Sequence, residues 1–462
     1  MSARPDQYDK ALDRAATHAR DWLAEIPTRA VPPKVGADEV VAALGDLPDG
    51  PTDPADVVDL LARAVEPGLM AIGSGRFFGW VMGGTLPAAL GADWMVSAWD
   101  QNTGMRYPTP GTTGVEEVAA TWLLDLLELP ATAGVGFVTG GTMANFTGLA
   151  AGRQHVLSRA GWNLDRDGLA GGPKVTVLGG EDRHTTIDVS LRYLGLGAPT
   201  PVAADDQGRI RPEALAAAVA EVDGPLIVAL QAGNLHSGAF DPFAECIEVA
   251  HEAGAWVHVD GAFGLWAAAA PRLRHLVAGM DQADSWGTDA HKTLNTPFDC
   301  GIAIVRDPVV HRATFGIQAS YLINAADHGD PLDRVPEMSR RARGVPVWAA
   351  LRSLGRAGLA NLIERTCRHA RRFAEGLAAA GYQVLNDVVL NQVLVSFGDA
   401  ETTNRVIGAI QADGTCWCGG TIWQGQTAMR ISVSSWATTD ADVERSLAAM
   451  LRIAARYSTK RG

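Results

Sequence analysis

Residues 285–300 read SWGTDAHKTLNTPFDC, a run of small and polar residues that lies between two apolar segments and contains one lysine. Lys292 is close in sequence to Ala290, Leu294 and Phe298, which predicts that its amine is partly shielded from water. Shielding favours the neutral form of an amine, and a neutral amine can attack a carbonyl carbon. Because most lysines are solvated surface charges, the neighbouring motifs must decide whether Lys292 has a chemical role.

Two segments upstream carry the other groups of a possible site. Residues 139–145, TGGTMAN, follow a short apolar strand and precede a helix, so their backbone amides could bind an anion or simply form a turn. Residues 256–260, WVHVD, form an apolar strand that ends in Asp260, which could cap a helix or face a cationic ring nitrogen. An anion-binding turn, a strand-ending aspartate and a lysine match the phosphate, ring nitrogen and aldehyde of pyridoxal phosphate.

Around these motifs, short runs rich in Val and Ile alternate with longer helical patterns between residues 74 and 307. Helices are predicted at 113–127, where Thr113 and Glu116 form a capping box, and at 242–253. The alternation predicts an α/β fold in which helices cover both faces of a mainly parallel sheet and ligands bind at the carboxyl ends of the strands. The predicted strands are 136–138, 174–178, 226–230, 256–260 and 302–305.

The chain is expected to fold in three parts, because 462 residues are too many for one compact core. Residues 1–73 contain helical patterns broken by Pro-rich turns and are predicted to form an N-terminal helical arm. Residues 74–335 are predicted to form the large cofactor-binding domain, and residues 336–462 a smaller C-terminal α+β domain. In this last part we predict helices at 347–354, 359–379 and 440–457 and strands at 392–397 and 429–433.

Composition and charge argue against several classes of protein. The formal net charge is −13, so a nucleic-acid or anionic-membrane binder is not expected, since phosphate groups need clustered Lys and Arg. The N-terminal segment lacks the apolar core of a signal peptide, and no run approaches the roughly 18 apolar residues of a membrane span, which predicts a cytoplasmic protein. The five scattered cysteines favour reduced thiols. No metal site is expected, because Cys416 and Cys418 lack a second pair.

Taken together, these motifs resemble the group II pyridoxal-phosphate-dependent decarboxylases of fold type I, which include the aromatic-amino-acid and glutamate decarboxylases. The likeness extends from about Arg76, in RFFGWVMGGTLPAALGADW, to about Arg445, in MRISVSSWATTDADVER. It implies a large domain with a seven-stranded, mainly parallel sheet, pyridoxal 5'-phosphate as the cofactor, and an L-amino acid as the substrate. It also implies a homodimer with shared active sites.

The resemblance implies roles for the residues that bind the cofactor. Lys292 would hold the cofactor aldehyde covalently, and His291 would help Gly141 and Thr142 to hold the phosphate. Asp260 would pair with the pyridine nitrogen, which makes the ring a better acceptor of electrons.

Three further residues are expected next to the ring. Ala262 would pack on it, and His184, in EDRHTTIDVS, would stack over it and touch the substrate carboxylate. Asn234, in AGNLHSGAFDP, stands where many members carry threonine and would lie near the cofactor. Together with Lys292 and Asp260, His184 is predicted to be catalytic.

The same resemblance suggests where the substrate binds. Phe77, Phe78 and Trp80, in RFFGWVM, resemble the edge of the family's substrate pocket and favour an aromatic side chain, although they could equally be core residues. Arg430, in MRISVSSW, is a candidate anchor for the substrate carboxylate or else makes a surface pair. His328, in the loop after the lysine segment, is a further candidate at the substrate.

The likeness departs from the family at that loop. Members carry a tyrosine there, which protonates the substrate carbon after CO2 leaves, whereas residues 322–341, LINAADHGDPLDRVPEMSRR, contain none and Tyr321 lies just upstream. Either His328 or another group donates the proton and an amine forms, or dioxygen reacts first and yields aldehyde, ammonia and peroxide. An aminotransferase and a catalytically inactive binding protein are the remaining alternatives.

Overall fold

The computed structural model describes residues 4–317 and 329–457, with side chains from residue 8 onward. Tyr321 and His328 therefore lie outside the described residues. The α-helices are α1 Arg4–Glu25, α2 Ala37–Leu44, α3 Pro54–Val65, α4 Pro87–Trp99, α5 Pro110–Leu126, α6 Gly141–Arg159, α7 Leu164–Asp167, α8 Thr185–Tyr193, α9 Pro212–Ala220, α10 Phe243–Glu252, α11 Pro308–Phe315, α12 Gly344–Ala379, α13 Ala400–Asp413 and α14 Asp440–Ala454.

Two sheets organise the chain. The first has seven strands in the order β1-β7-β6-β5-β4-β2-β3, and the second has four in the order β10-β11-β9-β8. The strands are β1 Gly134–Val138, β2 Thr176–Gly180, β3 Thr200–Val202, β4 Leu226–Gln231, β5 Trp256–Asp260, β6 Ser285–Asp289, β7 Gly301–Val305, β8 Gln383–Val384, β9 Gln392–Ser396, β10 Gly419–Trp423 and β11 Gln426–Ser432.

The large sheet confirms the predicted α/β fold of type I. Strands β3, β2, β4, β5 and β6 pair in parallel, and β7 runs antiparallel to both β6 and β1. Strands β1, β4, β5, β6 and β7 are buried along their whole length, because helices cover both faces of the sheet. All strands of this sheet except β7 therefore place their carboxyl ends along one edge.

The quoted segment that contains Lys292 differs from the prediction. Its first five residues form β6, which pairs with β5 on one side and β7 on the other. Only two of its residues, Trp286 and Thr288, have strong strand preferences, so the local pattern predicts a loop. The neighbouring strands impose the extended conformation, and as a result Lys292 follows directly after a strand end.

The beginning of α5 also differs from the prediction. The helix begins at Pro110, so Thr113 lies inside it and donates its hydroxyl to the carbonyl of Thr109, 2.9 Å away. Glu116 forms a buried ion pair with Arg340, with Oε2 2.8 Å from the guanidinium. The predicted capping box is therefore wrong, because the carboxylate joins α5 to the segment that precedes α12.

One face of the smaller sheet packs against α12, α13 and α14, in a core that is separate from that of the large sheet. The predicted helices at 347–354 and 359–379 are confirmed as the two halves of α12, which is kinked at Gly355. Gly355 has a φ of 61°, a left-handed conformation that glycine adopts without steric cost.

Within residues 4–317 and 329–457, no helix is long and apolar enough to cross a membrane. The same residues contain no group of three or more His, Cys, Asp or Glu side chains that could hold a metal ion.

Candidate active site

A cavity of about 320 Å³ opens at the edge where the parallel strands end. The turn after β1 contributes Thr139 to Met143, and the ends of β4 and β5 contribute Gln231 and Asp260. Asp289, at the end of β6, completes the strand-end residues that line it. The arrangement follows the general rule that open α/β sheets bind ligands beyond the carboxyl ends of their strands.

Lys292 enters this cavity as the partner of a carboxylate. Its Nζ lies 2.9 Å from Oδ2 of Asp289, whose side chain is 2% exposed, whereas the lysine side chain is 21% exposed. Nε2 of His291 lies 3.6 Å from Oδ1 of the same carboxylate, and burial lowers the pKa of His291. The structure thus places an ion pair where the sequence predicts a mainly apolar setting for the amine.

The first turn of α6 has the features of an anion site. Gly140 precedes α6 and has no side chain that could accept hydrogen bonds from the backbone amides of the first helical turn. A Cβ at Gly141 would lie 2.7 Å from Oδ2 of Asp289, so a larger residue there would displace that carboxylate. Oδ1 of Asp289 is buried without a hydrogen-bond partner. The helix amides, Thr142 and His291 supply donors that fit a phosphate group, whereas the Asp289 carboxylate pairs with Lys292 and would not contact it.

Asp260 and Ala262 line the same cavity as the α6 turn. Asp260 is 5% exposed, and its carboxylate accepts a hydrogen bond from the backbone of Ala262 at 3.3 Å. In the parallel register Asp260 stands between Gln231 of β4 and Gly287 of β6. The carboxylate is therefore held by central strands and aimed at the cavity, the geometry that a protonated ring nitrogen requires.

His184 lines the cavity and begins α8 as its N-cap. Its Nδ1 accepts a hydrogen bond from the backbone N–H of Thr186 at 3.2 Å and lies 2.8 Å from the hydroxyl of the same residue. Burial lowers the pKa of His184, and Asp260 opposes that shift. A neutral imidazole thus forms one wall of the site.

Comparison with known proteins places this geometry in a family. Residues 43–398 match the profile of the "Pyridoxal-dependent decarboxylase conserved domain", which covers most of the chain. The chain belongs to the pyridoxal-dependent decarboxylase family. It is therefore a decarboxylase that uses pyridoxal phosphate, and the cavity has the lysine, carboxylate and helix terminus that this cofactor needs.

Individual relatives agree with this assignment. The chain is 28% identical to tryptophan decarboxylase 1 of Oryza sativa subsp. japonica, over 93% of this chain and 90% of that protein. It is 30% identical to L-2,4-diaminobutyrate decarboxylase of Rhizobium meliloti, over 80% of this chain and 76% of that protein. A solved structure of Oryza sativa TDC with PLP and tryptamine superposes with a TM-score of 0.92 at 23% identity, covering 99% of both chains, which supports the fold.

Asn234 does not line the cavity. Its side chain is fully buried, donates to the carbonyl of Asp182 at 3.0 Å, and accepts from the backbone amides of His236 and Ser237. These bonds hold the turn after β4 in place. Asn234 thus shapes the neighbouring wall, where Leu235 lines the cavity, and its predicted place near the cofactor stays a prediction.

The aromatic residues predicted at the substrate lie elsewhere. Phe77 and Phe78 have no exposed surface; Phe77 stacks on Trp417, and Phe78 packs edge-on against Phe373 of the smaller core. Both rings are core residues in this structure, the alternative that the sequence leaves open, and their role in the substrate pocket stays a prediction. Trp80 is 47% exposed and packs on Trp417 outside this cavity, so its role stays a prediction.

Arg430 lies in β11 of the smaller sheet and reaches the large domain. The residue is 9% exposed, and its guanidinium donates to the carbonyl of Leu235, which lines the cavity, at 3.4 Å. Burial lowers the pKa of Arg430 to about 10, so it remains a cation at neutral pH. Within the described residues it forms no ion pair with a carboxylate.

Asp289 is a residue of this cavity that the sequence motifs do not indicate. Like Asp260, it is the last residue of a buried strand, and it stands three positions before Lys292. The same strand-end rule would have found it, had residues 285–289 been predicted as a strand. His328, the predicted group at the substrate, lies outside the described residues.

Proposed function

We propose that this protein removes CO2 from an aromatic L-amino acid and releases the corresponding amine. The observation that carries the proposal is the convergence of Lys292, Asp260 and His184 on one cavity, with the buried cation Arg430 next to it. Amine, carboxylate, imidazole and guanidinium together can hold a cofactor and a substrate carboxylate in a fixed geometry.

Each group would have a distinct task. Lys292 would hold the cofactor aldehyde, the first turn of α6 with His291 would hold its phosphate, and Asp260 would keep its ring nitrogen protonated. When bound, the cofactor supplies a conjugated ring that accepts the electrons of the broken bond. His184 would cover the ring face, and Arg430 would orient the carboxylate that leaves.

The glycine at the start of α6 provides a test of the phosphate site. We expect Gly141→Ala to weaken cofactor affinity about tenfold or more, because the new Cβ would lie 2.7 Å from the Asp289 carboxylate and displace it. Titration of the full-length protein with pyridoxal phosphate, followed by tryptophan fluorescence, would measure this. Gly114→Ala is the matched control, because Gly114 lies within α5 and an added Cβ there meets nothing within 4 Å. Equal affinities of the two variants would contradict the assignment.

Arg430 provides a test of the carboxylate site. We expect Arg430→Gln to lower kcat/KM about 10- to 100-fold, mainly through KM, because a charge-assisted hydrogen bond to the substrate is lost. Steady-state CO2 release measures this. Arg405→Gln, at an arginine whose side chain is 63% exposed, is the control and should keep the original KM. An unchanged KM in Arg430→Gln would remove Arg430 from the substrate site.

Several features support an aromatic substrate. Met143, Leu235 and Phe263 line the cavity, and apolar walls favour apolar side chains. The Oryza sativa relative is named for tryptophan, whereas the Rhizobium meliloti relative is named for 2,4-diaminobutyrate. Among the described residues that line the cavity, Asp260 and Asp289 already interact with His184 or Lys292, which leaves no separate carboxylate there to bind a second substrate amine.

The aldehyde-forming reaction is the second candidate. The specific observation in its favour is the absence of a tyrosine from residues 322–341, where family members carry the proton donor. Without prompt protonation, dioxygen and water would convert the same substrate to aldehyde, CO2, ammonia and hydrogen peroxide. Both reactions need the same Lys292, Asp260 and His184.

One experiment distinguishes these functions. The purified protein, loaded with cofactor, is incubated in air with each common L-amino acid and with L-2,4-diaminobutyrate, and the products are identified by mass spectrometry. We expect the amine of an aromatic amino acid as the main product. Aldehyde with peroxide would establish the second candidate, and amine from diaminobutyrate alone would overturn the aromatic assignment. Keto-acid-dependent transfer without CO2 would indicate an aminotransferase.

We also propose that the protein is a homodimer. Trp94, Met95 and Trp99 lie on α4 and are 44%, 49% and 45% exposed, which is unusual for large apolar side chains of one helix. A second copy that covers α4 would shield them and could complete the active site. Light scattering should give about twice the 48.7 kDa of one chain, and a mass near that of one chain would contradict the proposal.

A further inference from the structure

A chain of buried polar groups connects the interior of the large sheet to His184. Nε1 of Trp256 donates to the hydroxyl of Ser285 at 2.9 Å, and that hydroxyl lies 2.9 Å from Nδ1 of His258. Nε2 of His258 lies 3.0 Å from Oδ1 of Asn145. The next two contacts complete the chain, since the Asn145 amide donates to the hydroxyl of Thr186 at 3.1 Å and that hydroxyl lies 2.8 Å from Nδ1 of His184.

The two ends of this series and the neutral His258 in its middle determine the direction of its hydrogen bonds, and the Ser285 hydroxyl also lies 3.5 Å from the carbonyl of Gly148. The indole of Trp256 can only donate, so the chain begins with a donor. At the other end, the backbone N–H of Thr186 also points at Nδ1 of His184, 3.2 Å away, so that nitrogen must accept. Every group between the ends therefore accepts a hydrogen bond from one neighbour and donates one to the next.

The middle of the chain is compatible with this direction. His258 has no exposed surface, and burial lowers its pKa to about 3, so it is neutral. Because Oδ1 of Asn145 can only accept, Nε2 of His258 carries the proton and Nδ1 accepts from Ser285. Asn145 is 1% exposed and Ser285 is fully buried, so water does not compete for these bonds.

We propose that Trp256, Ser285, His258, Asn145 and Thr186 form a positioning chain that holds His184 as a neutral imidazole with its proton on Nε2, directed into the cavity. In that form His184 donates a hydrogen bond on the side where the proposed function, on which this inference rests, places the substrate carboxylate. An imidazolium would need a proton on Nδ1, where two donors of Thr186 already point.

Charged groups from several elements also act on His184. Asp260 at the end of β5 and Asp289 at the end of β6 favour its protonation, whereas Lys292, Arg430 of β11 and burial oppose it. His236, in the turn after β4, is a further titratable neighbour. These groups are present in all the variants of Thr186, Asn145 and Thr147 described below. A change in the titration of His184 among those variants therefore reports on the hydrogen bonds that connect Trp256 to His184.

Nuclear magnetic resonance of histidine nitrogens tests the inference directly. The full-length protein is labelled with ¹⁵N-histidine and studied with and without cofactor, and the missing signals of His184→Gln identify those of His184. We expect a protonated Nε2 and an unprotonated Nδ1. In Thr186→Val and in Asn145→Leu, which interrupt the chain at different points, we expect His184 to become protonated at higher pH than in the unchanged protein.

Two controls separate positioning from a general loss of packing. Thr186→Ser keeps the hydroxyl and should restore the original titration. Thr147→Val removes another hydroxyl of α6, which bonds only to the carbonyl of Met143 at 2.7 Å, and should leave His184 unchanged. With the best amino acid, kcat/KM should fall about tenfold in Thr186→Val and recover in Thr186→Ser, as expected for one lost hydrogen bond.

Two results would overturn the inference: a proton on Nδ1 of His184 in the unchanged protein, or the same titration in Thr186→Val, Asn145→Leu and Thr147→Val. If either Thr186→Val or Asn145→Leu does not fold, the titration of His184 in the other variant tests the inference. Failure of the proposed function would look different, because no amino acid would release CO2 while the nitrogen signals behaved as expected.

Discussion

Alanine in place of Lys292 is expected to abolish CO2 release, with a loss of at least about a thousandfold, because the covalent link to the cofactor disappears. Of the described residues that line the cavity, Lys292 supplies the only primary amine. The visible absorption of the bound cofactor should shift to that of the free aldehyde. Absorption spectra and CO2 assays of the purified variant measure both effects.

The small number of lysines makes a sharp control possible. The other lysines of the sequence are Lys10, Lys34, Lys174 and Lys460. Lys174 is exposed, so Lys174→Ala should behave as the unchanged protein. Reduction with borohydride followed by peptide mass spectrometry should place the cofactor on Lys292 alone. Attachment at another lysine, or full activity of Lys292→Ala, would refute the assignment.

Asparagine in place of Asp260 is expected to lower kcat about 100-fold or more, because a neutral amide cannot stabilise the protonated ring nitrogen as a buried carboxylate does. The backbone bond to Ala262 can survive this change, since the amide oxygen still accepts. The effect should therefore appear in the chemical step at saturating cofactor. Single-turnover measurements separate that step from cofactor binding.

Asp206→Asn is the control for this change, because Asp206 carries the same charge at an exposed position outside the cavity. It should retain the original kcat. The kcat of Asp260→Glu, which keeps the charge but displaces it, should lie between the kcat values of Asp206→Asn and Asp260→Asn. If Asp260→Asn retained full kcat, the carboxylate would have no electronic role and would serve only to position Ala262.

The predicted strands at 136–138 and 256–260 agree with β1 and β5, whereas the sequence pattern does not predict β6. Residues 256–260 are apolar and rich in valine, so their local preference and their environment agree. Residues 285–289 are short, polar at both ends and contain a glycine, and their extended form depends on pairing with β5 and β7. Missing this strand also meant missing Asp289, since its importance follows from its place at a strand end.

The predicted substrate residues Phe77 and Phe78 are fully buried, in contacts that the local sequence does not indicate. Phe77 and Phe78 are adjacent in sequence, yet Phe77 packs on Trp417 and Phe78 packs on Phe373. Both rings belong to packing between segments that are about 300 or more positions apart in sequence, a separation at which no local pattern indicates contact. Arg430, from the same distant region, shows the opposite outcome, because β11 carries it to the cavity wall at Leu235.

The sequence by itself determined the α/β class and made Lys292 and Asp260 candidates for the site, because strand ends and the residues around a lysine are local features. These motifs and the family resemblance together indicated the cofactor. His184 became a candidate only through the resemblance, and the roles of all three residues stay predictions. Only the tertiary structure decided that Asp289 pairs with Lys292 and that polar groups from Trp256 to Thr186 hold His184. These contacts depend on the strand order β1-β7-β6-β5-β4-β2-β3 and on how α6 packs across it. Long-range packing, rather than local preference, sets that arrangement.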